Sequence, residues 1–192
     1  MQMSPHTRPG GLRLVVVAAI AALGASTPLA AQSQQCATVY GAMTKIYDLP
    51  FHLYMLDSAG TDAQLHGGKP TVSEEIFSGG VVYVMVHGKW RKSPMDVAEM
   101  RKDWAEGAKK LTDLKATCTH VRDESVNGES ASVWHVTAET EDGATDTNQW
   151  VSKGRNVVLR SEMRIDVGGA LGKSHSIMHY DYANVHAPAG VQ

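Results

Sequence analysis

The sequence predicts an α+β protein that is mainly β, built as a curved antiparallel sheet of about eight strands whose concave side is covered by two helices. Two observations predict this fold. The second half of the chain is a series of short alternating segments separated by turn dipeptides such as Asn127-Gly128. Two stretches in the first half instead carry apolar residues at helical spacing. The alternation leaves one apolar sheet face, which such helices would cover.

The first 31 residues have the layout of a secretory signal. Arg8 and Arg13 precede a run of apolar residues at positions 14–23, and small residues stand before Gln32. The run is about half as long as a membrane-spanning helix requires. We therefore expect cleavage after Ala31 and export to the periplasm. Residues 32–192 then form a single domain, with a tail that frays from about residue 187.

Composition limits the partners of the exported domain. The signal carries two of the 18 basic residues and none of the 20 acidic ones, so its removal leaves a formal charge of −4. An acidic domain is a poor ligand for nucleic acid, and we expect none as a partner. No later apolar segment approaches the length of a membrane span, so no transmembrane segment is expected in the mature chain.

Two cysteines, Cys36 and Cys118, are available for a disulfide. In an oxidising compartment a single bridge between them is the expected state. Closing a loop of about eighty residues would stabilise the fold by about 4–5 kcal/mol in the chain-entropy model. The alternative is a pair of separate buried thiols.

The first helix is predicted over residues 34–47, where an apolar face is followed by Pro50 as a stop signal. The second is predicted to open at Ser93-Pro94, because serine caps free N–H groups and proline is tolerated at the first helical position. Its apolar stripe consists of Val97, Met100, Trp104, Leu111 and Leu114.

Eight segments are predicted to form strands. They cover residues 51–57, 71–77, 81–86, 117–126, 130–140, 145–152, 156–167 and 174–185. Alternation is clearest in the seventh segment, where Met163 and Ile165 share one face while Glu162 and Arg164 share the other. One face of the sheet should therefore meet water.

The sequence indicates neither a catalytic site nor a metal site. The nine histidines are scattered, and in a strand His175 and His179 would be roughly 13 Å apart, too far to share an ion. No nucleophile elbow and no phosphate-binding loop is present. We expect a non-enzymatic protein without cofactor or metal. A hydrolase assembled from scattered residues remains an alternative.

Three phrases and the order of elements resemble a known family. The phrases are Tyr83 to Trp90 (YVMVHGKW), Gln149 to Leu159 (QWVSKGRNVVL) and His179 to Val185 (HYDYANV). They are similar to the periplasmic LolA-like and LppX-like proteins of the lipoprotein-carrier fold, which form an unclosed half-barrel. The resemblance implies non-catalytic binding or carriage of a lipid or lipoprotein acyl chain in the hollow.

Seven methionines follow the signal, and methionine suits either a cavity for acyl chains or an ordinary core. The alternative to a lipid carrier is an envelope protein-interaction or stress-sensing module without a small ligand. Alternation along the strands and the helical stripe select the candidate ligand-binding residues, which are Met85, Trp104, Met163, Ile165, Met178 and Tyr180.

Overall fold

The computed structural model describes residues 29–59, 71–113, 116–140, 143–166 and 173–191, and side chains from Cys36 onward except those of residues 59, 104, 107–113 and 140. The apolar run of the predicted signal lies outside these residues. The helices are α1 (Leu29–Thr44) and α2 (Val97–Asp113), and a short 3-10 turn (Ile46–Asp48) follows α1. No helix in the described part of the chain is long and apolar enough to cross a membrane.

The described residues form a nine-stranded sheet, which confirms the predicted mainly β, α+β fold class. All neighbouring strands are antiparallel, in the order β4-β3-β2-β1-β9-β8-β7-β6-β5. The sheet is unclosed, because β4 and β5 are its two edges. The strands are β1 (Phe51–Ala59), β2 (Thr71–Ser78), β3 (Val81–Val86), β4 (Lys89–Lys92), β5 (Thr117–Val126), β6 (Glu129–Thr140), β7 (Gly143–Ser152), β8 (Val158–Asp166) and β9 (Lys173–Asp181).

One strand, β4, was missing from the sequence-based prediction. It is only four residues long, three of them charged, which is typical of a short edge strand protected against aggregation. The turn before it, His87-Gly88, has positive φ at both residues, 51° and 74°. Two-residue hairpins favour that conformation. Histidine is not a strong turn signal, so this hairpin was not predicted from the sequence.

The last strand ends earlier than predicted, at Asp181 rather than Val185. The Asp181 carboxylate accepts a hydrogen bond from the backbone N–H of Ala183 at 2.8 Å, and Asn184 adopts a positive φ of 52°. Both features turn the chain out of the sheet. The Tyr182 hydroxyl donates to the carbonyl of Val158 at 2.7 Å and fixes the start of the tail.

Helix α1 is joined to the edge strand β5 by the predicted disulfide, Cys36–Cys118. Both cysteines are buried and pack against Val39, Tyr40 and Val136. The bridge therefore fixes the N-terminal helix over the part of the concave face formed by β5 and β6.

Helix α2 begins three residues later than the sequence suggested, and its cap is Asp96 instead of Ser93. The Asp96 carboxylate accepts hydrogen bonds from the N–H groups of Ala98 (2.7 Å) and Glu99 (3.4 Å). Ser93 instead pairs with β3, its N–H donating to the carbonyl of Val82 at 2.8 Å. The loop between the two residues displaces the start of the helix.

We expect Asp96→Ala to lower the free energy of unfolding by about 1 kcal/mol, because two N–H groups at the start of α2 lose their acceptor. Urea unfolding followed by circular dichroism measures this loss. Asp103→Ala, at an exposed position inside the same helix, is the control and should change stability by less than about 0.5 kcal/mol. Equal effects of the two substitutions would contradict the capping role.

The outer, convex face of β8 is polar as predicted. Arg164 and Asp166 are exposed, and Glu162 is partly buried between neighbouring side chains. Its carboxylate is 2.9 Å from the Arg164 guanidinium and 3.2 Å from the His175 ring. Ser161, on the other face, is buried. The apolar and polar faces of the sheet are therefore separated, and α1 lies on the apolar one.

Candidate functional site

An apolar cavity of about 230 Å³ lies between α1 and the concave face of β6–β9. It is the place where the helix stands away from the sheet and leaves space unfilled. The described residues that line it are Val39, Tyr40, Met43, Ile46, Val136, Ala138, Thr145, Thr147, Gln149, Ser161, Met163, Met178 and Tyr180.

One wall of the cavity is formed by α1 and the turn after it. Val39, Met43 and Ile46 recur at spacings of four and three residues, which places them on one side of the helix. Tyr40 lies beside Val39 on the same buried side, and both are almost completely buried. The apolar stripe of α1 therefore faces the cavity.

The other wall consists of alternate residues of four strands. Met163 pairs with Thr147 and with Ser176, and Met178 pairs with Ser161 and with Met55. Because side chains alternate along a strand, such cross-strand partners share one face of the sheet. Methionines on adjacent strands therefore meet on the concave face.

The cavity wall carries polar atoms but no charged side chain among the described lining residues. Gln149 and Ser161 are buried on the sheet side. The Tyr180 hydroxyl contacts the sulfur of Met178 at 3.8 Å, and burial raises the pKa of Tyr180 far above its usual value. The cavity therefore presents neutral hydroxyl and amide groups within an apolar surface.

A titratable pair stands near Tyr180. The Tyr47 hydroxyl donates to Glu75 at 3.4 Å. Burial raises the pKa of Glu75, and the hydrogen bond from Tyr47 opposes that shift. Burial, followed by the nearby Glu75, raises the pKa of Tyr47 as well. Tyr47 therefore remains a neutral donor at physiological pH.

A wider cleft of about 650 Å³ adjoins the cavity at the far ends of the same strands. Ala138 and Thr145 line both spaces, so the two are contiguous. Charged residues surround the cleft, among them Arg164, His175 and Asp146. An elongated ligand could place an apolar end in the cavity and a polar end in the cleft.

The structure brings four of the six sequence-predicted residues to these spaces. Met163, Met178 and Tyr180 line the cavity, and Ile165 lines the cleft. Trp104 lies in α2, and its side chain is outside the part of the chain that the structure describes.

Met85 is not part of this site. It pairs with Trp90 across the β3–β4 hairpin, whereas its neighbour Val84 pairs with Glu75. Glu75 in turn pairs with Leu53, whose partner on the far side is Tyr180. The cross-strand partners Val84, Glu75, Leu53 and Tyr180 therefore share the concave face. Successive side chains of a strand point to opposite faces, so Met85, which follows Val84, lies on the convex face. Both faces of β3 are apolar, and the sequence did not tell them apart.

The sequence-based selection missed the residues of α1 and the polar residues of β7. The apolar face of residues 34–47, which includes Met43 and Ile46, was predicted only as a surface that covers the sheet. The sequence did not mark Thr145, Thr147 and Gln149 as cavity residues, because alternating polar residues are typical of a sheet face that meets water. Their place in the cavity follows from the register between β7 and its neighbours.

No group of three or more His, Cys, Asp or Glu side chains in the described ranges is arranged to hold a metal ion. The two histidines nearest the site each contact a carboxylate: His175 contacts Glu162, and His135 contacts Asp146 at 2.9 Å. These are partly exposed surface pairs, which contribute little to stability.

No protein-family model matches the chain, and no curated protein matches it in sequence. Solved structures with a similar fold include the lipoprotein LppX from Mycobacterium tuberculosis, with 13% identity and a TM-score of 0.43 over 83% of this chain and 98% of LppX. LprF from Mycobacterium bovis matches with 9% identity and a TM-score of 0.41, over 81% of this chain and 96% of LprF. MucB matches with 14% identity and a TM-score of 0.41, over 85% of this chain and 62% of MucB. These are similarities of structure at identities of 14% or below.

Proposed function

We propose that this protein binds a hydrophobic ligand, the acyl chain of a lipid or lipoprotein, in the cavity between α1 and the concave face of the sheet. The observation that carries the proposal is the apolar cavity itself, which is bounded by helix and sheet and adjoins a wider cleft with charged residues around it. Ligand pockets typically measure about 300–1,000 Å³. The cavity is slightly smaller than this range, and the cleft lies within it.

The lining side chains suit an acyl chain. Met43, Met163 and Met178 contribute flexible, polarisable thioethers, which adapt to apolar ligands of different shape. No charged group among the described lining residues would have to be desolvated when a chain enters. A concave face completely filled by side chains would have favoured the alternative, an interaction module without a small ligand.

We also propose that the protein acts in the periplasm after removal of residues 1–31. The support is the order of basic flank, apolar run and small residues in the sequence. Cleavage after Ala31 would fall within the first turn of α1 and leave Cys36, with its bridge, in the mature chain.

Thr145→Trp should weaken binding of the uncharged fluorescent probe N-phenyl-1-naphthylamine by about tenfold or more, equivalent to about 1.4 kcal/mol. Thr145 stands where the cavity meets the cleft, so an indole there would occupy the passage between them. Fluorescence titration of the purified protein measures the dissociation constant. Circular dichroism shows whether the variant retains the fold.

The matched control is Thr119→Trp, the same substitution at an exposed position of β5 that lines neither space. It should leave the dissociation constant unchanged. Protein purified from the periplasm should also release lipid into an organic extract, identified by mass spectrometry. A wild-type protein that binds no probe and releases no lipid above a control protein would refute ligand binding.

A further inference from the structure

Apolar side chains are exposed next to one another on the convex face of β1 and β2. Val72 is 68% exposed and Leu56 is 39% exposed, and the two are cross-strand partners. Tyr54, two residues before Leu56 and therefore on the same face, is 44% exposed. Isolated apolar residues are normal on a protein surface, but adjoining ones mark a contact surface.

The same surface continues into the β3–β4 hairpin. Met85 lies on the convex face, and its partner across the hairpin is Trp90. The ring of His52 connects the two parts, because it is stacked on Tyr54 at 4.1 Å and lies edge-on to Trp90 at 5.9 Å between centroids. We define the convex patch as Tyr54, Leu56, Val72, Met85 and Trp90.

The sheet edge beside the convex patch is basic. Strand β4 supplies Lys89, Arg91 and Lys92, which are all exposed, and residues 76–95 contain no acidic residue. Charged residues on an edge strand protect it against aggregation. That role explains the cations, but it does not explain why exposed apolar and aromatic side chains adjoin them.

The cations of β4 also lack partners of their own. None of the three forms an ion pair with any residue that the structure describes. At the opposite edge of the sheet, by contrast, Arg122 contacts Glu124 at 2.7 Å and Lys153 contacts Asp123 at 2.5 Å. The charge on β4 is therefore available to an external anionic surface.

We propose that the convex patch and the basic edge β4 bind the surface of a phospholipid membrane that contains anionic lipid. Tryptophan and tyrosine favour the membrane–water interface, and aliphatic side chains add buried apolar area. Each cation near such a surface strengthens binding by about fivefold. Glu74 also lies on this face, but its carboxylate has a partner in the His52 ring at 3.1 Å. Docking by the convex face leaves the concave face uncovered.

Co-sedimentation of the purified protein with vesicles tests the proposal. Vesicles of phosphatidylcholine alone are compared with vesicles that also contain phosphatidylglycerol. The wild type should bind the anionic vesicles at least about tenfold more tightly than the neutral ones, because only they attract the cations of β4. High salt should weaken this binding, since ions screen exposed charges.

Lys89→Gln/Lys92→Gln removes two cations of the basic edge and should weaken binding to the anionic vesicles by about tenfold or more. The matched control is Arg122→Gln/Lys153→Gln, which makes the same change in net charge at the opposite edge of the sheet. Its affinity should stay within about twofold of the wild type, because screening limits the influence of distant charges. Circular dichroism shows whether both variants retain the fold.

Two further variants test the apolar part of the surface. Val72→Ser should weaken binding to the anionic vesicles by about two- to tenfold, because less apolar area is buried at the membrane. The position is exposed, so the fold should be retained. Tryptophan emission of the wild type should shift to shorter wavelength when anionic vesicles are added, and Trp90→Phe should abolish this shift.

The outcomes that overturn the proposal are distinct. Wild-type protein that does not sediment with anionic vesicles would overturn it, as would equal losses in the two double variants or an emission shift that persists in Trp90→Phe. Sedimentation velocity without lipid should show a monomer. A dimer that Val72→Ser dissociates would instead show that the convex patch binds a second copy of the chain. None of these measurements involves the cavity, so failure here leaves the proposed function standing.

Discussion

Replacing both bridged cysteines with alanine, Cys36→Ala/Cys118→Ala, should lower the free energy of unfolding by about 2–5 kcal/mol. The bridge joins residues 82 positions apart, so its loss releases a long loop in the unfolded chain. Chemical unfolding monitored by circular dichroism measures the loss. Because α1 forms one wall of the cavity, probe affinity should fall in the same variant.

Reduction of the wild type is the control for this prediction. Under a strong reductant the wild type should approach the stability of the double variant, while the double variant itself should not respond. Alanine is preferred to serine because Cys36 and Cys118 are both buried among apolar side chains, where a serine hydroxyl would need a partner. A wild type whose unfolding midpoint is unaffected by reductant would contradict a stabilising bridge.

The second large effect is expected at Phe51, where substitution by alanine should cost about 3–5 kcal/mol. The side chain is completely buried, and its ring contacts those of Tyr47 at 5.4 Å, Tyr180 at 5.6 Å and Phe77 at 5.7 Å between centroids. Removing the ring leaves a cavity at the centre of this aromatic cluster. Urea unfolding measures the loss.

Tyr54→Ala is the matched control, since it removes an aromatic ring from the same strand. Tyr54 lies on the opposite face of β1 and is 44% exposed, with its ring stacked on His52. Its substitution should cost less than about 1 kcal/mol. Equal losses at Phe51 and Tyr54 would show that the concave cluster is not the main stabilising core of β1.

The periodic parts of the sequence were sufficient to predict most of the fold. Alternation in β8 distinguished the buried Ser161 from the exposed Arg164, because one face of that strand meets water and the other meets the core. Asn127-Gly128 marked a hairpin turn, since glycine and asparagine tolerate positive φ. Two features without such a pattern were not predicted correctly: the charged edge strand β4 and the cap of α2.

Prediction of the site was less complete, for a different physical reason. The methionines and Tyr180 of β8 and β9 were selected because their strands alternate. Met85 was misplaced because both faces of β3 are apolar, so its orientation depends on the register with β2 and β4. Tyr40 was not selected at all, because one tyrosine in an apolar helix has no property in the sequence that marks its hydroxyl as unpaired.

The sequence by itself determined the local structure of this protein: which segments form strands and helices, where the glycine turns lie, and which two cysteines were available to pair. These follow from side-chain periodicity and backbone preference, which act over a few residues. Only the tertiary structure decided that α1 stands away from β6–β9 and leaves a cavity, and that Tyr40, one of its lining residues, has a buried hydroxyl without a partner in the described chain. Packing between elements distant in the chain sets both, and no local pattern encodes the space left between them.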